Sequence, residues 1–154
     1  MITAIALGSN LGDREGNLHE AVRRMGALGR VVAISIFHDT EPVGYLDQPR
    51  FLNGAVLLET ELEPAALLAG LLEVERAMGR DRSATVAKGP RVIDLDLLLF
   101  GAVMLETAQL TVPHPAMRER RFVLEPLWEI APQMVDPVTG WTVAELLEKT
   151  GNRE

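Results

Sequence analysis

The chain has 154 residues, 47% of them apolar and 24% charged, which is the balance of one globular domain with a substantial core. It has no cysteine, which excludes disulfides, a thiol nucleophile and a thiolate metal site, and fits a reducing, cytoplasmic setting. The formal charge of −7 argues against non-specific nucleic-acid binding, and no apolar run approaches the roughly 20 residues of a membrane helix.

Residues 2–7 read as a first strand, with no charged and apolar leader of a signal peptide before it. Gly8-Ser9-Asn10-Leu11-Gly12-Asp13 is a strand-to-helix turn. It lacks the Gly-Lys-Ser/Thr ending of a P-loop, and Asp13 is placed to cap the next helix. That helix is predicted over 14–28, with Leu18, Ala21, Val22, Met25 and Leu28 on its apolar stripe. Residues 31–38 make a second strand. Residues 39–50, with Pro42, Gly44 and Pro49, are too irregular for an element and have the length of a functional loop.

Residues 51–60 form a third strand. Alternation places Phe51, Asn53, Ala55 and Leu57 on one face, and Leu52, Val56 and Leu58 on the other. A strand-end phenylalanine alone is ordinarily core, but an aromatic beside an amide also suits a flat, hydrogen-bonding ligand. Pro64 opens a second helix that reaches about residue 78 and stops at Gly79. Its stripe is Leu67, Leu68, Leu71, Leu72, Val74 and Met78. Glu75 falls inside that stripe and needs a partner. An arginine of the following loop is the natural one, with snorkelling at the stripe's edge as the alternative.

Residues 80–90 are a second long loop, and residues 94–100 a strand. Gly101-Ala102 then turns the chain, and residues 103–105 pair back as a short strand. The prolines at 113 and 115 keep residues 110–115 extended. Residues 116–121 make one helical turn, 122–130 a helix broken by Pro126, and 142–149 a terminal helix with Val143, Leu146 and Leu147 inward. The order is βαββαβ followed by a mostly helical C-terminal extension. The expectation is therefore an α+β, ferredoxin-like antiparallel sheet within a single domain spanning 1–154. Its helices lie on one face, and the other face is free for a site.

The most informative stretch is Gly89-Pro90-Arg91-Val92-Ile93-Asp94-Leu95-Asp96-Leu97-Leu98-Leu99-Phe100. In a strand Asp94 and Asp96 share a face, while Leu95, Leu97 and Leu99 point to the core. The simpler reading is an exposed acidic pair on an edge strand. The apolar run around it argues instead for a central strand, where two adjacent acids call for a cation. Oxygen-only donors suit Mg²⁺, which takes one or two carboxylates plus substrate phosphates. Two basic islands flank this strand. Arg80, Arg82, Lys88 and Arg91 precede it, and Arg118, Arg120 and Arg121 follow it, near His114. Each alone reads as a solvated face; around a carboxylate pair they read as a phosphate site. Together they point to phosphoryl transfer without a Walker motif. A small regulatory ligand-binding domain is the alternative, and a Mg²⁺-dependent nuclease or nucleotidyltransferase is a third reading.

From Ala6-Leu7-Gly8-Ser9-Asn10-Leu11-Gly12 onward, the sequence closely resembles the 6-hydroxymethyl-dihydropterin pyrophosphokinase family. The resemblance rests also on Asp47-Gln48-Pro49-Arg50-Phe51-Leu52-Asn53, on the Gly-Pro-Arg…Asp-x-Asp signature, and on Leu110-Thr111-Val112-Pro113-His114-Pro115. It implies that the β,γ-diphosphate of the co-substrate ATP passes to the hydroxymethyl oxygen of a reduced pterin, in folate biosynthesis, releasing AMP. It implies catalytic roles for Asp94, Asp96, Arg80 and Arg91, with Asp94 and Asp96 holding two Mg²⁺ ions. Arg80, Arg82, Arg91, His114 and Arg120 would neutralise the phosphates. Thr111 and the Leu97 backbone would hold the adenosine part, with Glu75 near the nucleotide. Phe51 and Phe122 would sandwich the pterin, Asn53 would bond its amide edge, and Thr40, Val43 and Asp94 would complete that pocket. The loops 39–50 and 80–90 are expected to close over the ligands. The expected partners are small molecules only, with no nucleic acid and no membrane, and the expected state is a monomer. Lys88 and Gln109 depart from the family pattern, which often has Trp and Arg there.

Overall fold

The computed structural model describes residues 1–42, 47–79 and 90–152. Strands β1 (Ile2–Ser9), β2 (Arg30–Ile34), β3 (His38–Thr40), β4 (Phe51–Glu59) and β5 (Asp94–Phe100) form one antiparallel sheet. Its order is β2-β4-β1-β5, with β3 also paired to β4. Helices α1 (Arg14–Met25) and α2 (Pro64–Ala77) pack on one face. There Leu18, Ala21, Met25, Leu67, Leu71 and Val74 bury against Ile5, Leu7, Val56, Leu58, Leu95 and Leu97. Asp13 caps α1 by accepting the Gly16 amide at 3.0 Å. Gly79, at φ +92°, ends α2 in a conformation that a side chain would strain. Leu72, placed on the stripe from sequence, instead faces solvent.

The second face is not left free. Helices α3 (Arg121–Ile130) and α4 (Val143–Asn152) cover it, closing Val123, Leu124, Leu127, Val143 and Leu146 on Ala4, Ala6, Ala55 and Leu57. Alanines on the sheet side let the helix layer approach closely. A site on this face is therefore confined to the end of the sheet beyond the N-terminus of α3.

Four strand expectations are corrected. The apolar strand β5 is at the sheet's edge, not its centre. It is apolar because both of its faces are covered, by α1 and α2 on one side and by the α3 and α4 layer on the other. Its backbone is bound beyond β1 as well: the Glu75 carboxylate takes the Leu95 amide at 2.8 Å, and the His114 amide donates to the Leu98 carbonyl at 2.9 Å. The β1–β5 register shifts between Ala4 and Ile5, so Leu98 and Leu99 both join the α3 side and Leu99 leaves the face of Leu95 and Leu97. One extra residue reverses the alternation from there on. The expected strand 31–38 is two strands. At Ser35 the amide keeps its bond to the Ala55 carbonyl at 2.9 Å, but the hydroxyl accepts the Ala55 amide at 2.9 Å and donates to the Ile36 carbonyl at 2.7 Å, so a side-chain bond stands where the return ladder bond would be. Asp39 and Thr40, expected in a loop, belong to β3.

After β5, β6 (Leu105–Glu106) pairs with β7 (Thr111–Val112) rather than back onto the sheet. A 3₁₀ turn, Pro115–Glu119, supplies the expected single helical turn. Helix α3 runs unbroken through Pro126. The ring removes one helix bond, and the buried Leu124 and Leu127 on either side hold the helix on the sheet. A reciprocal capping box starts α4: Thr142 Oγ1 accepts the Glu145 amide at 3.1 Å, and Glu145 Oε1 accepts the Thr142 amide at 3.0 Å. No helix among the described residues is long and apolar enough to cross a membrane.

Candidate active site

Strand register brings the predicted residues into one row. Gly8 on β1 stands between Asn53 on β4 and Asp94 on β5, and Ala6 stands between Ala55 and Asp96. Thr40 on β3 pairs with Phe51. These positions open at the end of the sheet into one pocket, which Phe122 at the start of α3 closes from above. Thr40, Phe51, Asn53, Arg91, Asp94, Asp96 and Phe122 all line it, together with Ala6, Gly8 and Glu41.

The pocket's groups are held by neighbours. Asn53 donates its amide to the Thr40 hydroxyl. Arg91 Nη1 lies 3.4 Å from Asp94 Oδ2, and its guanidinium sits 4.8 Å above the Phe51 ring. The Arg120 guanidinium lies 5.7 Å over Phe122. Each aromatic wall thus carries a cation at its face. Arg120 lines an adjoining groove that shares Thr40, Glu41 and Phe122 with the pocket. Asp94 and Asp96, two apart on one face, are an all-oxygen donor pair opening onto the pocket. That fits a hard cation whose remaining ligands are substrate phosphates and water.

His114 caps the 3₁₀ turn by accepting the Ala116 amide on Nδ1 at 3.2 Å, which leaves its proton on Nε2. Burial, and then the Arg120 charge, hold its pKa below the ordinary histidine value, partly offset by Asp94. His114 is therefore a neutral Nε2–H donor within the electrostatic reach of both. The other arginines of that island have structural roles. Arg118 binds the fully buried Asp136 at 2.6 Å, and Arg121 pairs with Glu125 at 2.7 Å.

Other predicted residues stand apart from the pocket. The Leu97 side chain is buried, which leaves only its backbone for a ligand. Thr111 is on β7, opposite Glu106. Glu75 is 2% exposed, so it does not snorkel, and its carboxylate holds the amide of Leu95, between the two aspartates. Val43, Arg80, Arg82 and Lys88 lie outside the described residues, as do residues 43–46 and 80–89 of the two loops expected to close over ligands.

Sequence reasoning missed three contributors. Gly8 floors the pocket: a methyl group built there would lie 2.9 Å from Asn53 Oδ1 and 3.5 Å from the Phe51 ring. Glu41 lines the pocket and is tied to Arg50 at 3.1 Å. Asn10, buried beneath the rim, donates to Gln48 at 2.8 Å and the Pro49 carbonyl at 3.0 Å, and accepts the Arg91 amide at 2.7 Å. Alternation along Ala4, Ala6 and Gly8 was the available signal for Gly8, but its neighbours depend on register.

An α+β domain with an acidic pair and cations beside two aromatic walls is the layout of a protein that sets a polyanion against a flat heterocycle. The chain belongs to the 7,8-dihydro-6-hydroxymethylpterin-pyrophosphokinase (HPPK) family, whose profile matches residues 4–132. A Bacillus subtilis relative named 2-amino-4-hydroxy-6-hydroxymethyldihydropteridine pyrophosphokinase is 49% identical over 140 residues, covering 90% of this chain and 83% of its own. A Methylorubrum extorquens relative of the same name is 46% identical over 147 residues, covering 94% of this chain and 90% of its own. The crystal structure of wild-type Plasmodium falciparum HPPK-DHPS with pteroate superposes with a TM-score of 0.77 at 16% identity, which shows a shared fold. The match covers 99% of this chain and 42% of that one, so the chain spans less than half of the solved protein. A regulatory ligand-binding domain finds no support in these likenesses.

Proposed function

We propose that this chain transfers the β,γ-diphosphate of ATP to the hydroxymethyl oxygen of 6-hydroxymethyl-7,8-dihydropterin, giving the pterin diphosphate and AMP, a step of folate synthesis. The observation that carries this reading is the single pocket in which Phe51, Asn53 and Phe122 adjoin Asp94, Asp96 and Arg91. The scaffold is read as ferredoxin-like with a mostly helical C-terminal extension, acting as a monomer in the cytoplasm.

Phe51 and Phe122 take the faces of the pterin ring, and Asn53, oriented by Thr40, bonds its amide edge. The hydroxymethyl group then lies toward Asp94 and Asp96. Its oxygen attacks the β-phosphorus, the bond from that phosphorus to the oxygen bridging to the α-phosphate breaks, and AMP leaves with that oxygen. Asp96 takes the hydroxyl proton. Arg91 and Arg120 counter the charge of the moving diphosphate, and His114 donates Nε2–H to a phosphate oxygen. Arg80 and Arg82 are assigned to the same phosphates. Thr111, Glu75 and the Leu97 backbone are assigned to the nucleotide side. Asp94 and Asp96 would hold magnesium, read as two ions, which would neutralise charge at the triphosphate when bound. The protein's part is chiefly to position the groups and exclude water.

The test is AMP release from ATP and Mg²⁺ with and without the pterin, on wild type and Asp94→Ala. Pterin-dependent AMP that falls at least about 100-fold in the variant supports the reading. Binding of both ligands with no AMP from wild type refutes the reaction and leaves the pocket.

A further inference from the structure

One contact outside the pocket joins two of its walls. Glu129 of α3 accepts the Ile36 amide on Oε1 at 3.1 Å and meets the His38 ring nitrogen Nε2 with Oε2. The His38 and Glu129 side chains are 27% and 23% exposed, so the pair is partly shielded from solvent.

Periodicity connects this contact to the site. His38 and Thr40 are two apart on β3 and share a face. His38 stands opposite Asn53, and Thr40 opposite Phe51. Glu129 and Phe122 are seven apart on α3, two turns along the same side. Helix α3 therefore runs beside β3 with the Glu129–His38 contact toward one end and Phe122 beside Thr40 at the other. The gap between Phe122 and the β3–β4 wall depends on how α3 seats against β3. The rest of the α3 packing is apolar, with Val123, Leu124 and Leu127 set among Ala4, Ala6, Ala55, Leu57, Leu98 and Leu99 of the sheet and Val143 and Leu146 of α4, and apolar contact is non-directional. Glu129 adds two directional bonds, one to backbone and one to a side chain, and these set position along and across the strand.

We infer that Glu129 and His38 act as a positioning clamp for the slot that takes the flat ligand, which rests on reading that slot as the pterin site. The clamp acts through the placement of Phe122 relative to Asn53 and Phe51. It leaves the Asp94–Asp96 end, set by the β1–β5 register, unchanged. A contact that served stability alone would lower the folded population without distinguishing the two substrates.

The test is steady-state kinetics with ATP and pterin varied separately, on wild type, Glu129→Ala, Glu129→Gln and His38→Ala. Pterin binding without ATP is measured by fluorescence, and Tm checks folding. Loss of Glu129 is expected to raise KM and Kd for pterin about tenfold, the size of one charge-assisted hydrogen bond, with a several-fold smaller rise in KM for ATP through Arg120, the N-cap of the same helix. Glu129→Gln keeps an acceptor for the Ile36 amide and should recover part of the loss. His38→Ala gives the same comparison if Glu129→Ala does not fold. An active wild type whose variants show both KM values rising by the same factor, or no change for pterin, overturns the clamp alone. A wild type that binds pterin but forms no AMP defeats the proposed reaction, and the clamp is then decided by Kd. A wild type that neither binds pterin nor forms pterin-dependent AMP defeats both.

Discussion

Asn10 and Arg91 hold each other by two reciprocal backbone-directed bonds. The Asn10 amide donates to the Arg91 carbonyl at 3.0 Å, and the Arg91 amide donates to Asn10 Oδ1 at 2.7 Å. The same side chain reaches Gln48 and Pro49, so one residue at the end of β1 fixes the chain on both sides of the pocket mouth. Asn10→Ala removes three side-chain bonds at a position 2% exposed. The expected loss is about 2–3 kcal/mol, or roughly 5–10 °C in Tm by calorimetry. An unchanged Tm would show that solvent replaces these bonds.

Gly8→Ala should separate binding from folding. The backbone at Gly8 is not in the left-handed region, and the added methyl meets Asn53 Oδ1 at 2.9 Å. Displacing that amide and shallowing the floor should raise KM for pterin about tenfold, with little change in Tm or in KM for ATP. Competition between a pterin analogue and substrate would measure it.

The buried Asp136 makes the acid limb of stability specific. Burial alone would raise its pKa, but the Arg118 side chain, the Val138 amide and the Thr139 hydroxyl together outweigh that and hold it below its ordinary 3.8. Its stabilising effect is complete above that value and is lost as pH falls through the lower folded value, because there the unfolded chain binds the proton first. Denaturant titrations between pH 5 and pH 2 should show wild type losing stability more steeply than Asp136→Asn. At neutral pH the variant should be weaker by about 3 kcal/mol, from leaving Arg118 without its carboxylate.

His114 should titrate below the ordinary histidine value of 6.5, since burial and Arg120 both disfavour its charged form. Between the folded value and 6.5, stability should rise with pH, because in that window the unfolded chain holds more protons. NMR titration of the ring would establish this, with Nδ1 bonded to the Ala116 amide and the proton on Nε2. Titration at or above the ordinary value would show that burial and Arg120 do not govern the ring.

Much of this was legible along the chain. Alternation placed Asp94 with Asp96 and Phe51 with Asn53, and both pairs reach one pocket. Helix periods located α1, α2 and α4, and the turn chemistry located Asp13 and Gly79. The motif stretches identified the family that the comparisons establish. All of these depend on residues within one or two turns or strand steps of each other, where bond geometry ties sequence spacing directly to direction.

Tertiary structure decided what spacing does not encode. The edge position of β5, the reversal of alternation at Leu98, and the cover of the second face by α3 and α4 depend on which strands pair and in what register. Composition marked Arg118, Arg120 and Arg121 alike, yet Asp136 and Glu125 bind the outer two while Arg120 lies over Phe122. Glu129 reaches His38 across 91 positions, and Asn10 reaches Arg91 across 81. Local preferences set each element's faces. The partner of a charge or an amide is set by close packing across the whole domain, where an unpaired buried polar group is disfavoured and only one arrangement satisfies the set.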